Sequence, residues 1–158
     1  MTDLKLKLIS IKVWIKQVLK TKTLNFFSVV NGAIPQGGLL FDRKTDFYDL
    51  VPPSYIPKTV QVQGAVEQQE LQLALDKKKI AFPVFAKPNI GFQGYLASRF
   101  DNIESLLSFI SRYKSKEFLI QEFIALNTEY SVLYYRYPVS KKSWILSFVE
   151  RDYPYVVG

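Results

Sequence analysis

The sequence predicts an α+β fold in which short strands, in antiparallel or mixed sheets, are flanked by helices. Residues 66–79 and 102–113 repeat apolar side chains at helical spacing. Residues 118–124, 129–137 and 144–149 are short apolar runs rich in β-branched and aromatic side chains, which is typical of strands. A turn joins the last two runs, so they are expected to pair antiparallel. With 158 residues, 48% of them hydrophobic, the chain can build a core of one domain or two small ones.

The composition excludes several classes of site. There is no cysteine and no histidine, which excludes disulfides, thiolate or imidazole metal ligands, cysteine nucleophiles and Ser-His-Asp triads. Neither GxxxxGK[ST] nor GxGxxG occurs, so the P-loop and dinucleotide-binding fingerprints are absent. Of the net charge of +7, +5 belongs to residues 1–22, which carry six lysines against Asp3. The nearly neutral remainder does not favour nucleic acid as a partner.

Residues 4–20 predict a basic amphipathic helix. Its apolar side holds Leu4, Leu8, Ile11, Ile15, Val18 and Leu19, and its lysine side holds Lys5, Lys12, Lys16 and Lys20. Trp14 lies at the edge of the apolar side. Two interpretations remain open: the helix packs on its own domain, or it lies on an anionic membrane surface. No apolar run approaches the roughly 18 residues that span a bilayer, so a cytoplasmic protein is expected, with attachment to the inner membrane surface left open.

The segments that follow are broken by turn residues. Phe26–Val30 is expected to be a strand, followed by a glycine loop through Gly37 and Gly38. Residues 46–50 predict a helical turn. Residues 54–57 are expected to be extended, since proline disfavours helix for the residue before it.

The central segments predict a strand, a loop and a helix. Residues 80–86 are expected to form a strand after the helix at 66–79, and residues 95–100 a short return strand. Asp101, with Glu104 three residues later, predicts a capping box for the helix at 102–113.

A lysine and two glycines lie between these two strands. Lys87 ends an apolar run, and Gly91 and Gly94 follow it closely. A fixed cation beside a loop that can fold over a polyanion is a way of holding nucleotide phosphates. The same residues are also compatible with an exposed strand-end lysine and an ordinary hairpin turn.

Several stretches together resemble the ATP-grasp superfamily, and within it the D-alanine:D-alanine-ligase-like proteins. The matching stretches are FPVFAKPNIGFQG for the lysine and phosphate loop, FLIQEFI for the hinge, NTEYSVLYYRYP for the next strand, and NFFSVVNGAIPQGG and LVPPSYIPKT upstream. The resemblance covers roughly residues 26–158. With the basic helix predicted from periodicity at 1–22, the resemblance implies a partial ligase-like segment at 23–63 and a partial nucleotide-binding subdomain at 64–158.

The resemblance also implies roles for individual residues. Lys87 would contact the α and β phosphates of ATP. The loop of Gly91, Phe92, Gln93 and Gly94 would close on those phosphates, and the hinge of Gln121, Glu122, Phe123 and Ile124 would hold adenine. Glu129 would accept from the ribose hydroxyls, and Arg151 would lie near the phosphates.

ATP-grasp ligases activate a carboxylate as an acyl phosphate and then let an amine attack it, with Mg²⁺ bridging the phosphates. The family's metal ligands would lie beyond Gly158, so we expect a chain truncated before the metal-binding end. It would bind ATP or ADP but would have neither metal ligands nor assigned catalytic residues, so the reaction on unidentified carboxylate and amine substrates would need the full-length ligase. The alternatives are a non-catalytic pseudoenzyme, a membrane-surface adaptor that uses the basic helix, and a protein-interaction domain. The last is favoured if Glu122 and Glu129 point away from Lys87.

Overall fold

The computed structural model describes residues 3–38, 42–91, 94–126 and 128–151, and it confirms the predicted α+β class with antiparallel sheets. The helices are α1 Asp3–Thr21, α2 Phe26–Val30, α3 Lys44–Tyr48, α4 Gln68–Lys78 and α5 Ile103–Ile110. The strands are β1 Thr59–Gln63, β2 Val84–Pro88, β3 Ser98–Phe100, β4 Glu117–Glu122, β5 Glu129–Arg136 and β6 Ser143–Arg151. Single 3₁₀ turns cover Pro35–Gly38, Pro53–Tyr55 and Ser111–Tyr113. The chain divides into two compact units, Met1–Phe123 and Ile124–Gly158.

The first unit is built on a four-stranded antiparallel sheet in the order β1-β4-β2-β3. Alternate side chains of its strands pack with α4 and α5 in one core, whose members include Val60, Leu71, Leu75, Val84, Ala86, Leu106, Ile110, Phe118 and Ile120. Each fully buried large side chain contributes about 1.5–3 kcal/mol to stability. Because side chains alternate along a strand, the other face of the sheet carries Phe85, Lys87, Leu119 and Gln121.

The prediction of a strand at Phe26–Val30 is wrong, since these residues form helix α2. No strand of the described residues lies beside them to pair their backbone. Local bonds form instead, because both the amide and the hydroxyl of Ser28 donate to the carbonyl of Asn25, at 3.0 and 2.7 Å. The Phe26 ring packs against Phe27 and against Trp14 of α1, with centroid distances of 5.9 and 6.5 Å.

Two predicted helices in the first unit are confirmed with changed limits, and the extended stretch predicted at 54–57 is wrong over its first two residues. The helical turn expected at 46–50 is α3, and the helix expected at 66–79 begins at Gln68. The expected extended stretch at 54–57 is a 3₁₀ turn at its start, and extended backbone begins at Ile56. Strand β1 was not predicted.

The predicted capping box of α5 is wrong by one residue. Asn102 caps the helix, and its Oδ1 accepts from the amide of Ser105 at 2.9 Å. The side chain of Asp101 is instead engaged by Arg99, whose Nη2 lies 2.7 Å from Oδ1.

The second unit is the predicted antiparallel hairpin of β5 and β6. Aromatic pairs stabilise it, with Tyr130 stacked on Phe148 at 4.7 Å and Tyr135 on Trp144 at 5.2 Å. Every residue of β6 is exposed. The compact units divide between Phe123 and Ile124, whereas the predicted boundaries at 22/23 and 63/64 stay predictions.

No helix among the described residues has the length and apolar character needed to cross a bilayer.

Candidate functional site

Lys87 lies on the sheet face that does not pack against α4 and α5. It is half-buried, and it stands opposite Leu119 of β4. Burial lowers the pKa of its ammonium, and the nearby positive charge of Lys44 lowers that pKa further. The fold therefore holds Lys87 where its charge is poorly solvated, which is a setting in which an anion would bind well.

Lys44 is a second cation at this site, and sequence reasoning missed it. Its ammonium donates to the carbonyl oxygens of Pro88, Asn89 and Gly91 at 2.9, 3.3 and 3.1 Å. Burial lowers its pKa as well. No local pattern distinguishes Lys44 from the other lysines, because only the fold brings α3 against the backbone that follows Lys87.

The backbone after Lys87 is fixed by a buried amide. Asn89 is fully buried and donates through Nδ2 to Glu117 Oε2 at 2.6 Å and to Thr45 Oγ1 at 3.1 Å. Its Oδ1 accepts from the amide of Thr45 at 3.2 Å. Arg43 pairs with the same carboxylate oxygen of Glu117 at 2.6 Å, and Gln61 donates to the other one. Residues 43–45 therefore anchor the start of the candidate phosphate loop.

The rest of that loop is described only in part. Phe92 and Gln93 lie outside the described residues. Gly94 has a φ of +73°, a conformation in which a side chain is strained. A Cβ at Gly91 would stand 3.2 Å from Cγ of Pro88, so this glycine allows a close approach to the chain before it.

The predicted hinge residues Gln121 and Glu122 lie on opposite faces of the sheet. Gln121 stands opposite Phe85 and shares the face of Lys87, whereas Glu122 stands opposite Val84 on the other face. The Nε2 group of Gln121 donates to the Tyr48 hydroxyl at 2.9 Å and to Thr59 Oγ1 at 2.7 Å. Burial raises the pKa of Tyr48, and its hydrogen bond with Gln121 partly opposes this rise.

Glu122 is engaged by the residue before β1. Its Oε1 accepts from the backbone amide of Lys58 at 2.9 Å, and its Oε2 lies 3.4 Å from the Lys58 ammonium. The hydrogen bond from that amide is the main reason why the pKa of Glu122 is lowered. The structure therefore separates Glu122 from the face that carries Lys87.

Phe123 contacts Arg99, whose guanidinium lies 4.8 Å from the ring centroid. Arg99 stands opposite Phe85 on β2, so it shares the face of Lys87 and Gln121. Ile124 is exposed and begins the second unit.

Glu129 and Arg151 belong to the second unit, where they stand opposite each other on β5 and β6. Their side chains form an ion pair of 3.1 Å, and both are substantially exposed. The structure thus groups Lys87 with Gln121 in one unit and pairs Glu129 with Arg151 in the other.

The described residues contain no group of three or more acidic side chains that could hold a metal ion.

Comparison with known proteins found no matching family model. A formate-dependent phosphoribosylglycinamide formyltransferase of Saccharolobus solfataricus is 32% identical over 98 residues, which cover 58% of this chain and 24% of the relative. The chain thus spans about a quarter of the length of that relative.

Two solved structures are similar to part of the chain. One is a D-alanine–D-alanine ligase from Bacillus anthracis, with 15% identity, a TM-score of 0.40 and coverage of 78% of this chain and 44% of the other. The second is a D-alanine–D-alanine ligase from Helicobacter pylori, with 17% identity, a TM-score of 0.49 and coverage of 73% and 36%.

Proposed function

We propose that this chain, which resembles the ATP-grasp carboxylate-amine ligases, supplies the ATP-binding portion of such a ligase. One observation carries the proposal: Lys87 is half-buried near the end of β2, and the ammonium of Lys44 is held by the backbone carbonyls of Pro88, Asn89 and Gly91 that follow it. Among the described residues, neither forms an ion pair with an acidic side chain. Two poorly solvated positive charges repel each other, and the phosphates of a nucleotide would offset both.

The proposed roles follow from position. Lys87 binds the α and β phosphates directly, and the loop from Gly91 to Gly94 closes over them. Lys44 acts on the same site by holding the carbonyl groups of Pro88, Asn89 and Gly91. A fixed carbonyl direction leaves less backbone freedom to lose when a nucleotide binds.

The base would lie toward the end of β4. Gln121 shares the face of Lys87 and is a better candidate than Glu122 for a side-chain contact to adenine, because the Glu122 carboxylate is bound to Lys58. Backbone groups of residues 121–124 would complete the contact. Glu129 is a proposed ligand of the ribose and Arg151 a proposed ligand of the phosphates. The ion pair between them would have to break before either could act.

The reaction proposed for the whole ligase is carboxylate activation through an acyl phosphate, followed by attack of an amine. In that reaction Mg²⁺ would neutralise phosphate charge. The described residues provide no cluster of acids that fits such an ion, and none of them is assigned a catalytic role. The carboxylate and the amine remain unassigned.

Nucleotide titration of the 158-residue chain tests the proposal. We expect ATP to shift the backbone amide resonances of Lys87, of residues 89–91 and of residues 121–123 in a saturable way, with or without Mg²⁺. Lys87→Met keeps most of the side-chain volume and removes the charge, so it should weaken binding about tenfold or more. Lys77→Met, on the exposed last turn of α4, is the matched control and should bind as the unchanged chain does. A folded chain that gives no shift with ATP, or equal binding by the Lys87 variant, contradicts the proposal.

A protein-interaction domain is a second candidate. Glu122 faces away from Lys87, and the hairpin of β5 and β6 exposes large apolar side chains such as Ile145, Leu146 and Phe148. This candidate is favoured if the same titration shows no nucleotide binding.

A further inference from the structure

Helix α1 has an apolar stripe that nothing among the described residues covers. Five side chains recur at helical spacing along one side of the helix and are between 48% and 74% exposed: Leu4, Leu8, Ile11, Ile15 and Leu19. Exposed apolar side chains are common one at a time, but a continuous stripe along a 19-residue helix marks an interaction surface.

The contacts of α1 with the rest of its unit lie on a different side. Trp14 packs against Phe26 of α2, and Gln17 and Val18 are half-buried. On a helical wheel of about 100° per residue these three positions lie to one side of the stripe. The helix is therefore attached to its unit without using the stripe.

Lysines border the stripe on its other edge. Lys5, Lys12 and Lys16 follow it around the helix, and Lys20 lies beyond them. None of the four forms an ion pair among the described residues. Asp3 is the single acidic residue of α1, so this surface is strongly positive as well as apolar.

We propose that the uncovered stripe of α1 docks on an anionic lipid bilayer surface. The helix would lie parallel to the membrane, with the stripe in the acyl boundary and the lysines among the lipid head groups. Long lysine side chains can reach the head groups while their methylene chains stay against apolar surface. An anionic bilayer matches both parts of this surface: its apolar layer suits the stripe, and its continuous negative charge suits the lysines.

The charges argue against a second copy of this chain as the occupant. Packing two copies of the stripe together would bring two rows of lysines to the same contact. With Asp3 as the sole acid of each helix, the lysines would find almost no compensating charge, and the repulsion would oppose dimerisation.

Vesicle binding by the full chain provides the test. We expect co-sedimentation with vesicles of phosphatidylcholine and phosphatidylglycerol, about tenfold or more weaker binding to phosphatidylcholine alone, and weaker binding at high salt.

A matched pair of variants separates the stripe from the general charge. Ile11→Glu with Ile15→Glu places two carboxylates in the stripe, whereas Ile9→Glu with Val13→Glu places them outside it, with Ile9 between Lys16 and Lys20 on the helical wheel and Val13 beyond Lys20. The four side chains are similarly exposed, at 55%, 48%, 50% and 52%, and both variants change the charge equally. The first variant should lose binding about tenfold or more relative to the second, because only the first puts charge into the acyl boundary. Circular dichroism should show that both keep their helix content.

Three results overturn the proposal. One is equal binding to anionic and neutral vesicles, or binding to neither of them. Another is an equal loss of vesicle binding in the two double variants. The third is a dimer that binds no vesicles and becomes a monomer in the Ile11 and Ile15 variant, which assigns the stripe to a second copy. The ATP titration is independent of all three, so each proposal can fail alone.

Discussion

The positive charge of Lys44 contributes to the lowered pKa of Lys87, and the Lys44 ammonium itself is held by three backbone carbonyls. The two lysines are 43 positions apart in the sequence and come from a helix and a strand. Their proximity is a property of the fold that the sequence pattern around Lys87 does not contain. Two positive charges placed near each other lower the stability of the free protein, and they would favour the binding of an anion beside them.

The first prediction concerns the stability of the chain at alkaline pH. The folded state lowers the pKa of Lys87 below its ordinary value of 10.5. At pH values between the lowered pKa and 10.5, the unfolded chain therefore binds more protons than the folded chain does. Stability attributable to Lys87 should therefore rise as pH increases toward 10.5. The measurement is the free energy of unfolding of the unchanged chain minus that of Lys87→Met, followed from pH 8 upward.

Lys44→Met supplies the control for this effect. In the Lys44→Met background the second cause of the lowered Lys87 pKa is absent, and burial, the larger cause, remains. The contribution of Lys87 to the free energy of unfolding should therefore still rise with pH, but by less. A difference that stays flat or falls with increasing pH contradicts the position assigned to the Lys87 ammonium.

The second prediction concerns the amide that anchors the candidate phosphate loop. Asn89→Ala leaves the Thr45 amide and a Glu117 carboxylate oxygen without their buried partner. Losing a partner of buried polar groups costs about 1–3 kcal/mol, so the urea midpoint should fall. Gln72→Ala, which removes an exposed amide bonded to Asp76, should change stability by less than about 0.5 kcal/mol. Equal effects in the two variants contradict the anchoring role.

Local patterns predicted much of the fold. The helices at α1, α4 and α5 were recognisable because long periodic apolar faces depend on neighbours within one or two turns. The hairpin of β5 and β6 was recognisable for the same reason, since a turn joins two runs of strand-forming residues. The strand expected at Phe26–Val30 failed because a strand needs a partner, and the sequence around the phenylalanines does not tell whether one exists.

The candidate site was harder to predict. Lys87 and Gly94 could be selected as candidates from the sequence around them, and their roles stay predictions, whereas Lys44 and Asn89 contact this region only because α3 packs against the end of β2. The opposite directions of Gln121 and Glu122 depend on where β4 begins, since a shift of one residue exchanges the faces of all its side chains.

The third prediction uses the close approach between β1 and the end of α5. A Cβ at Gly64 would stand 2.6 Å from the carbonyl oxygen of Ile110 and closer still to that of Tyr113. These are backbone atoms that cannot rotate away, so Gly64→Ala should destabilise the first unit by about 2 kcal/mol or more. Thermal unfolding followed by circular dichroism measures this loss. A Cβ at Gly32 would meet nothing within 4 Å, so Gly32→Ala is the control and should leave the midpoint almost unchanged.

The last prediction concerns Glu122 at acidic pH. Its folded pKa is lowered below the ordinary value of 4.5, chiefly by the hydrogen bond from the Lys58 backbone amide. The carboxylate therefore stabilises the fold above pH 4.5, and this contribution should be lost as pH falls through the lowered pKa. The difference in unfolding free energy between the unchanged chain and Glu122→Gln should be constant near neutral pH and shrink in acid.

Lys58→Met distinguishes the amide from the ammonium as the source of this effect. The variant keeps the backbone N–H group that donates at 2.9 Å and loses the ammonium that lies 3.4 Å from the other carboxylate oxygen. Most of the acid dependence should therefore persist in Lys58→Met, and it should resist high salt, which screens an exposed ion pair more than a backbone hydrogen bond. Complete loss of the acid dependence in this variant would show that the ion pair dominates instead.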